Sequence, residues 1–229
     1  MPKLKGPGAL ASPAMQDYLK HVYMLEEESG DKMVSTKALA DRLDVSAASA
    51  TNMLKKLAGL NFVKHTPYQG ATLTDSGRKV ALEVLRHHRL LETYLAEALG
   101  VPWDEVHAEA EVLEHFLSES LEERIAGLLG DPIADPHGHP IPSRELTMPE
   151  ATGRPLWQLP DGTTAQIDRV PDDRSDTLRY LAELGIRPGV SVQVVRRGPV
   201  SGPLFLKIGD GSLQEEAISK EVAQTVWVA

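Results

Sequence analysis

The sequence predicts a mainly α-helical chain in three parts: an N-terminal winged helix-turn-helix, a helical segment with an acidic, histidine-bearing face, and a small C-terminal SH3-like β-barrel. Three observations predict it. Two short helical patterns meet across a tight turn and are followed by a Pro-to-Gly hairpin signal. Histidines and glutamates then recur at helical spacing through the middle of the chain. Beyond a proline-rich stretch, the pattern changes to short β-prone runs. The corresponding boundaries are 1–75, 76–150 and 151–229.

Composition narrows the chemistry. The 229 residues are enough for two domains or for one domain with a small appendage, and a hydrophobic fraction of 41% is enough to build cores. No apolar run approaches the roughly 20 residues of a membrane span, and "MPKLKGPGALASPAM" lacks the apolar core of a signal peptide. A cytoplasmic location without a membrane partner is expected. Zero cysteines exclude disulfides, iron–sulfur ligation and thiolate zinc fingers. Imidazole, carboxylate, carbonyl and thioether donors remain, a set that suits Mn(II), Fe(II), Co(II) or Zn(II). Net charge is −9, distributed unevenly: residues 1–78 carry 10 Lys+Arg against 8 Asp+Glu, residues 79–150 carry 5 against 15, and residues 151–229 carry 9 against 10. A mildly basic first segment leaves nucleic acid open as a partner despite the acidic total.

After an arm that reads as disordered, Ser12 and Pro13 open a helix that Gly30 closes. Ser35 or Thr36 caps a short helix through Leu43, Val45 closes a tight turn, and Ser46 caps a second helix ending at Gly59. "FVKHTPYQGATLT" supplies the hairpin wing. On the second helix, Ser46, Ala48, Ser49, Thr51, Asn52, Lys55 and Lys56 are small or polar, whereas Met53, Leu54 and Leu57 suit the core. Asn can pair with adenine, Ser and Thr can reach bases or phosphates, Ala can touch a thymine methyl, and lysines neutralise phosphates. These residues are the candidate contacts to double-stranded DNA.

Residues 74–100 read as one long amphipathic helix with Leu82, Leu85, Leu91, Leu95 and Leu99 largely inward and with His88 and Glu92 one turn apart. The next pattern, Val106 to Arg124, reads as a single helix. At about 100° per residue His107, Glu111, Glu114 and His115 fall near 0°, 40°, 340° and 80°, and so share one face. Val106, Ala110, Leu113, Leu117 and Leu121 form the adjoining apolar stripe. Carboxylates three and four residues apart repel unless a cation relieves them, so the face calls for positive charge. The short connection "GVPWDEV" favours antiparallel packing of the two helices, which brings both donor sets together. From residue 130 to 162 prolines recur too often for helix or central strand and read as a linker, with His137 and His139 as turn residues. The tail offers "TTAQIDRV", a helix "TLRYLAELG", and strands in "VSVQVVRR", "GPLFLKIG" and "AQTVWVA".

Together "DYLKHVYMLEEE", the winged helix, "RHHRLLE", "VHAEAEVLEH" and "DPHGHPIP" resemble the metal-dependent transcriptional repressors of the diphtheria toxin repressor and manganese transport regulator group. The resemblance implies a homodimer that binds a palindromic operator when loaded with Mn(II) or Fe(II), and that represses metal-homeostasis genes. Zn(II), Co(II) or Ni(II) can substitute in vitro, because intrinsic affinity does not favour manganese. Carried over by position, the metal-linked residues are Asp17, His88, Glu92, His107, Glu111, Glu114 and His115. Iron-type members have Cys where this chain has Glu111 and Met where it has Asp17, so the site resembles the harder, manganese-type pattern. That pattern has Glu where this chain has Lys20, whose ammonium can reach Asp17 or the acidic face as a surrogate cation. The tail resembles the third, FeoA-like domain of the longer iron-type members, which donates a carboxylate and an amide to an ancillary metal. Arg174 and Thr177 align with those donors and match neither; Asp172, Asp173 and Asp176 are the carboxylates nearby.

A metalloenzyme with a carboxylate–histidine helical site is the alternative reading. Di-iron bundles need Glu-x-x-His on facing helices, and neither that motif, nor His-Glu-x-x-His, nor a Gly-rich phosphate loop occurs.

Overall fold

The computed structural model describes residues 11–30, 33–150, 153–200 and 202–229. The arm expected to be disordered lies, up to residue 10, outside the described residues. The chain forms two compact units. The first takes the described residues up to Leu90, then Glu111–Asp131 and Pro142–Met148; the second takes Leu91–Ala110, Pro132–Ile141 and the described residues from Pro149 to Ala229.

The first unit opens with α1 (Pro13–Ser29), α2 (Thr36–Arg42) and α3 (Ala47–Gly59), followed by β1 (Val63–Thr66), β2 (Gly70–Leu73) and the long α4 (Asp75–Leu99), of which it takes the part up to Leu90. Pro13 stands at the start of α1 and Gly30 ends it at φ 68°, whereas the Ser12 side chain makes no cap bond. Ser35 and Ser46 are working caps, since their hydroxyls accept from Ala38 N and Ser49 N. Each such cap contributes about 1 kcal/mol. β1 and β2 pair antiparallel from Val63 opposite Leu73 to Thr66 opposite Gly70. Gly70 is required there: at φ 131°, a Cβ would lie 2.2 Å from the Val34 carbonyl oxygen. Leu19, Leu39, Leu54, Leu57, Val80 and Leu85 fill the core beneath these elements. Buried Glu26 ties α1 to the wing, accepting from Thr72 Oγ1 at 2.9 Å and Leu73 N at 2.8 Å while Arg78 pairs with it at 2.7 Å.

The single helix expected from Val106 to Arg124 is two helices. α5 covers Val106–Leu113, a tight 3-10 turn covers Glu114–Phe116, and α6 covers Glu119–Leu128. The break is extended backbone at Leu117 and Ser118. Ser118 restarts the helix because its carbonyl accepts from Leu121 N and Glu122 N, and Glu119 and Glu122 in the new first turn favour the positive helix end. The apolar stripe changes with the break: Val106, Ala110 and Leu117 are buried, but Leu113 and Leu121 are exposed. Leu99, expected inward on α4, is exposed as well.

The second unit is built around a sheet of β3 (Arg154–Pro155), β4 (Thr164–Arg169), β5 (Ser191–Arg197), β6 (Leu204–Ile208), β7 (Glu216–Ile218) and β8 (Trp227–Val228), in the order β3-β8-β4-β5-β6-β7. Every neighbouring pair is antiparallel. α7 (Ser175–Glu183) and α8 (Lys220–Thr225) accompany it, and Leu156, Ile167, Leu178, Leu181, Val194 and Leu206 belong to its core. The last expected strand, from Ala223 on, is therefore helix as far as Thr225: Ser219 caps α8, and Trp227 and Val228 pair as strand. The proline-rich stretch is also more than a linker. Residues 132–141 fold back on themselves, Ala134 bridging to Pro140, and Gly138 approaches the Asp168 carbonyl so closely that a Cβ would lie 2.1 Å from it. Among the described residues no helix is long and apolar enough to cross a membrane.

Candidate metal centres and nucleic-acid interface

The helix break creates the donor arrangement of the first unit. The 3-10 turn buries Glu114 and carries His115, Glu111 lies in the last turn of α5, Asp17 comes from α1 and His88 from α4. His115 Nε2 lies 2.9 Å from Asp17 Oδ1, and its Nδ1 lies 2.7 Å from Gln16 Oε1. His88 Nδ1 lies 2.5 Å from Glu114 Oε2 and 3.7 Å from Glu111 Oε1. Two sets emerge, Asp17 with Glu114 and His115, and His88 with Glu111 and Glu114; within each, ligand atoms lie within 4.8 Å of one another.

Lys20, one turn after Asp17 on α1, is the most buried charged group of this cluster's cations. Its Nζ donates to Glu111 Oε1 at 2.6 Å and to Glu114 Oε1 at 2.7 Å. The expected contact with the acidic face is the one it makes. Burial alone would lower its pKa, but Glu114 and Glu111 outweigh burial and raise it above the ordinary lysine value. The same balance raises His115: burial lowers it, and the bond to Asp17 and the charge of Glu114 more than compensate.

Sequence reasoning missed His87, which braces the turn from behind. Its Nδ1 lies 3.1 Å from the Glu114 carbonyl oxygen and its Nε2 lies 3.1 Å from Glu122 Oε2, while Arg86 Nε donates to Glu122 Oε1 at 2.5 Å. Burial would raise the Glu122 pKa, but His87 and Arg86 hold it below the usual value. "RHH" before the ligand helix face was the available signal, read only for its second histidine.

His107 and Glu92 meet in the second unit, with His107 Nδ1 3.1 Å from Glu92 Oε1. His107 and Glu111, one turn apart on α5, thus pair differently, His107 with Glu92 and Glu111 with Lys20. Two residues expected to be mere turn positions join carboxylates here, His137 beside Glu92 and His139 beside Asp135 and Asp172. His137 is fully buried, its ring stacked on Trp103 at 5.6 Å, its Nε2 2.8 Å from the Trp103 carbonyl oxygen and its Nδ1 3.8 Å from Glu92 Oε2. Burial would lower its pKa, but Glu92, Asp135 and the carbonyl push it up to about 9. Asp135 shapes this loop by accepting from both His137 N and His139 N. His139 Nδ1 lies 3.3 Å from Asp172 Oδ2. Ligand atoms of Glu92, Asp135 and His137 converge within 4.8 Å, as do those of Asp135, His139 and Asp172. Asp176 instead pairs with Arg174 on the surface. The overlooked signal was the spacing in "ADPHGHP", an Asx-type turn that presents two imidazoles.

Both units offer carboxylate oxygen and imidazole nitrogen donors without thiolate, a combination that suits hard-to-borderline divalent ions. On α3, Ala48, Ser49, Asn52, Lys55 and Lys56 are exposed and Thr51 is half-buried. Ser46 is the N-cap, and Thr51 Oγ1 donates to the Ala47 carbonyl at 2.7 Å, so these two hydroxyls are occupied within the helix.

Comparison with known proteins accounts for all three segments. Residues 11–71 match the family model described as iron dependent repressor, N-terminal DNA binding domain; residues 74–143 match iron dependent repressor, metal binding and dimerisation domain; and residues 154–229 match the FeoA domain. The iron-dependent repressor IdeR of Mycobacterium tuberculosis (strain ATCC 25618 / H37Rv) is 32% identical over 190 residues, covering 77% of this chain and 81% of that protein. A solved manganese-dependent transcriptional repressor in complex with manganese is 42% identical with a TM-score of 0.87, covering 94% of this chain and 99% of that one. ScaR with bound Zn2+ is 33% identical with a TM-score of 0.79, covering 94% and 98%. With a capped, exposed helix behind a wing and hard donors gathered on the helices that follow, the chain belongs to the iron-dependent repressor family of metal-dependent transcriptional regulators, which are repressors and not enzymes.

Proposed function

We propose that this protein is a homodimeric repressor of metal-homeostasis genes that binds a palindromic operator when Mn(II) or Fe(II) is bound, with residues 1–75 reading DNA, 76–150 holding metal and the dimer contact, and 151–229 forming the SH3-like domain. The observation that carries the reading is the convergence of Asp17 from α1 with Glu114 and His115 from the 3-10 turn. Asp17, His88, Glu111, Glu114 and His115 would hold one centre, and Glu92, His107, Asp135 and His137 a second. The bound ion supplies positive charge to a set of like-charged carboxylates. Asp17 then connects the DNA-binding helices to the segment Glu111–Phe116, which fixes the presentation of α3 with a coupling of typically about 1–3 kcal/mol.

Apolar exposure supports the dimer. Val112, Phe116 and Leu128 on α5, the 3-10 turn and α6 are 65%, 72% and 68% exposed, an unusual concentration for one short segment. Ala48, Ser49, Asn52, Lys55 and Lys56 would meet DNA, the lysines at phosphate. The donor set favours Mn(II) and Fe(II) by hardness, yet Zn(II), Co(II) and Ni(II) bind such sites more tightly, so several ions should activate in vitro. Operator binding titrated with Mn(II), with Fe(II) under anaerobic conditions and with Zn(II) tests the proposal. Binding that no metal stimulates would defeat it.

A further inference from the structure

We propose that Lys20 is a built-in cation of the first-unit centre: its ammonium permanently occupies the position between Glu111 and Glu114, so this centre takes one divalent ion, and α1 stays fastened to the α5 turn even without metal. The inference rests on the metal reading above and deepens it by fixing the stoichiometry and the metal-free state.

Geometry argues first. Lys20 is 2% exposed, and its Nζ donates to one oxygen from each of two carboxylates at 2.6 and 2.7 Å. A buried ammonium held by two carboxylates is costly to strip, because removing either side leaves an uncompensated charge away from water. Charge balance argues next. Asp17, Glu111 and Glu114 contribute three negative charges, and Lys20 offsets one. Two negative charges remain, which a single divalent ion neutralises. That ion's donors converge beside Lys20: Asp17, Glu114 and His115 gather there, and Glu114 Oε1 serves both Lys20 at 2.7 Å and the side facing His115 Nε2 at 3.7 Å, while Lys20's contact to Glu111 lies outside the set. With a carboxylate at position 20 the same cluster would carry four negative charges and would call for two ions. The tether also has a consequence for DNA. Lys20 lies on α1, and Glu111 and Glu114 lie in the segment 111–116, so the ion pairs make in the metal-free protein part of the connection that Asp17 makes through metal.

Equilibrium dialysis with Mn(II) followed by metal analysis counts the ions, and the account expects Lys20→Glu to bind one more Mn(II) per chain than the parent. An equal count overturns the proposal. Metal-free operator binding of Lys20→Met should fall by about tenfold, with Lys20→Arg retaining the parent affinity, a change within the usual range of coupling energies. An unchanged affinity in Lys20→Met overturns the tether. Acylation of lysines in the unmodified protein, read by mass spectrometry, serves if the variants fold poorly. Lys20 should be protected both in metal-free protein and at saturating Mn(II), and labelling of Lys20 on Mn(II) addition would show that metal expels it and overturn the proposal. Failure of the underlying metal reading is distinguishable: Asp17→Ala would then bind as many Mn(II) ions as the parent, and the inference would fall with the reading.

Discussion

Individual side chains decide how tightly the DNA-binding elements are held. Glu26 is buried and serves three donors on the wing and α4. Glu26→Ala leaves Leu73 N and Arg78 without that acceptor, and should cost about 1–3 kcal/mol. A thermal melt of the metal-free protein measures this, and an unchanged midpoint would contradict the assigned role. At the second centre, Asp135 both aligns with Glu92 and His137 and holds the loop by two backbone bonds. Asp135→Asn keeps an acceptor for those bonds but removes a charge. It should keep the loop folded, read as an unchanged far-UV spectrum, while weakening the second Mn(II) affinity. Parent-like Mn(II) affinities would mean that Asp135 shapes the loop and nothing more. At this scale the sequence was most informative where a residue type is unusual for its place, as with Lys20 beside Asp17. It was least informative for His137, whose burial against Trp103 depends on residues more than thirty positions away in the chain.

Elements were legible wherever their ends carry local chemistry. Ser35, Ser46 and Gly30 mark their boundaries because capping and positive φ are properties of a few neighbouring residues. The α5–α6 break was missed because helical periodicity continues through it; Ser118 followed by Glu119 and Glu122 was the local sign of a new start. The stub of β8 and the helix α8 were misread for the opposite reason, since β-prone Val and Thr were overridden by the Ser219 cap. For α3, exposure of Lys55 and Lys56 puts them at the surface of the helix that would face DNA. Lys55→Ala or Lys56→Ala should weaken binding to all sequences alike and lower the salt slope by about 1. A change confined to one operator sequence would make that lysine a base reader instead.

On the scale of the whole molecule, the order of segments was legible because each has its own periodicity, and the family comparison agrees with that order. Which donors meet was legible only in part. Face angles place His107 and Glu111 on one side of α5, which is helical across both, but could not show that Lys20 would meet Glu111 or that His137 would stand beside Glu92. If the exposed Val112, Phe116 and Leu128 form the dimer contact, Phe116→Glu should shift sedimentation towards monomer without loss of helix content, because a buried unpaired charge is not tolerated in such a contact. A parent-like sedimentation coefficient would move the contact elsewhere. The central claim is that divalent metal joins α1 to the Glu111–Phe116 segment through Asp17 and thereby controls operator binding. Its most direct test is fluorescence anisotropy on a duplex selected from a random pool by the Mn(II)-loaded protein, titrated with Mn(II) for the parent and for Asp17→Ala. The parent should tighten by about tenfold or more and Asp17→Ala should not respond, in keeping with a coupling of about 1–3 kcal/mol; equal stimulation of both proteins would contradict the account.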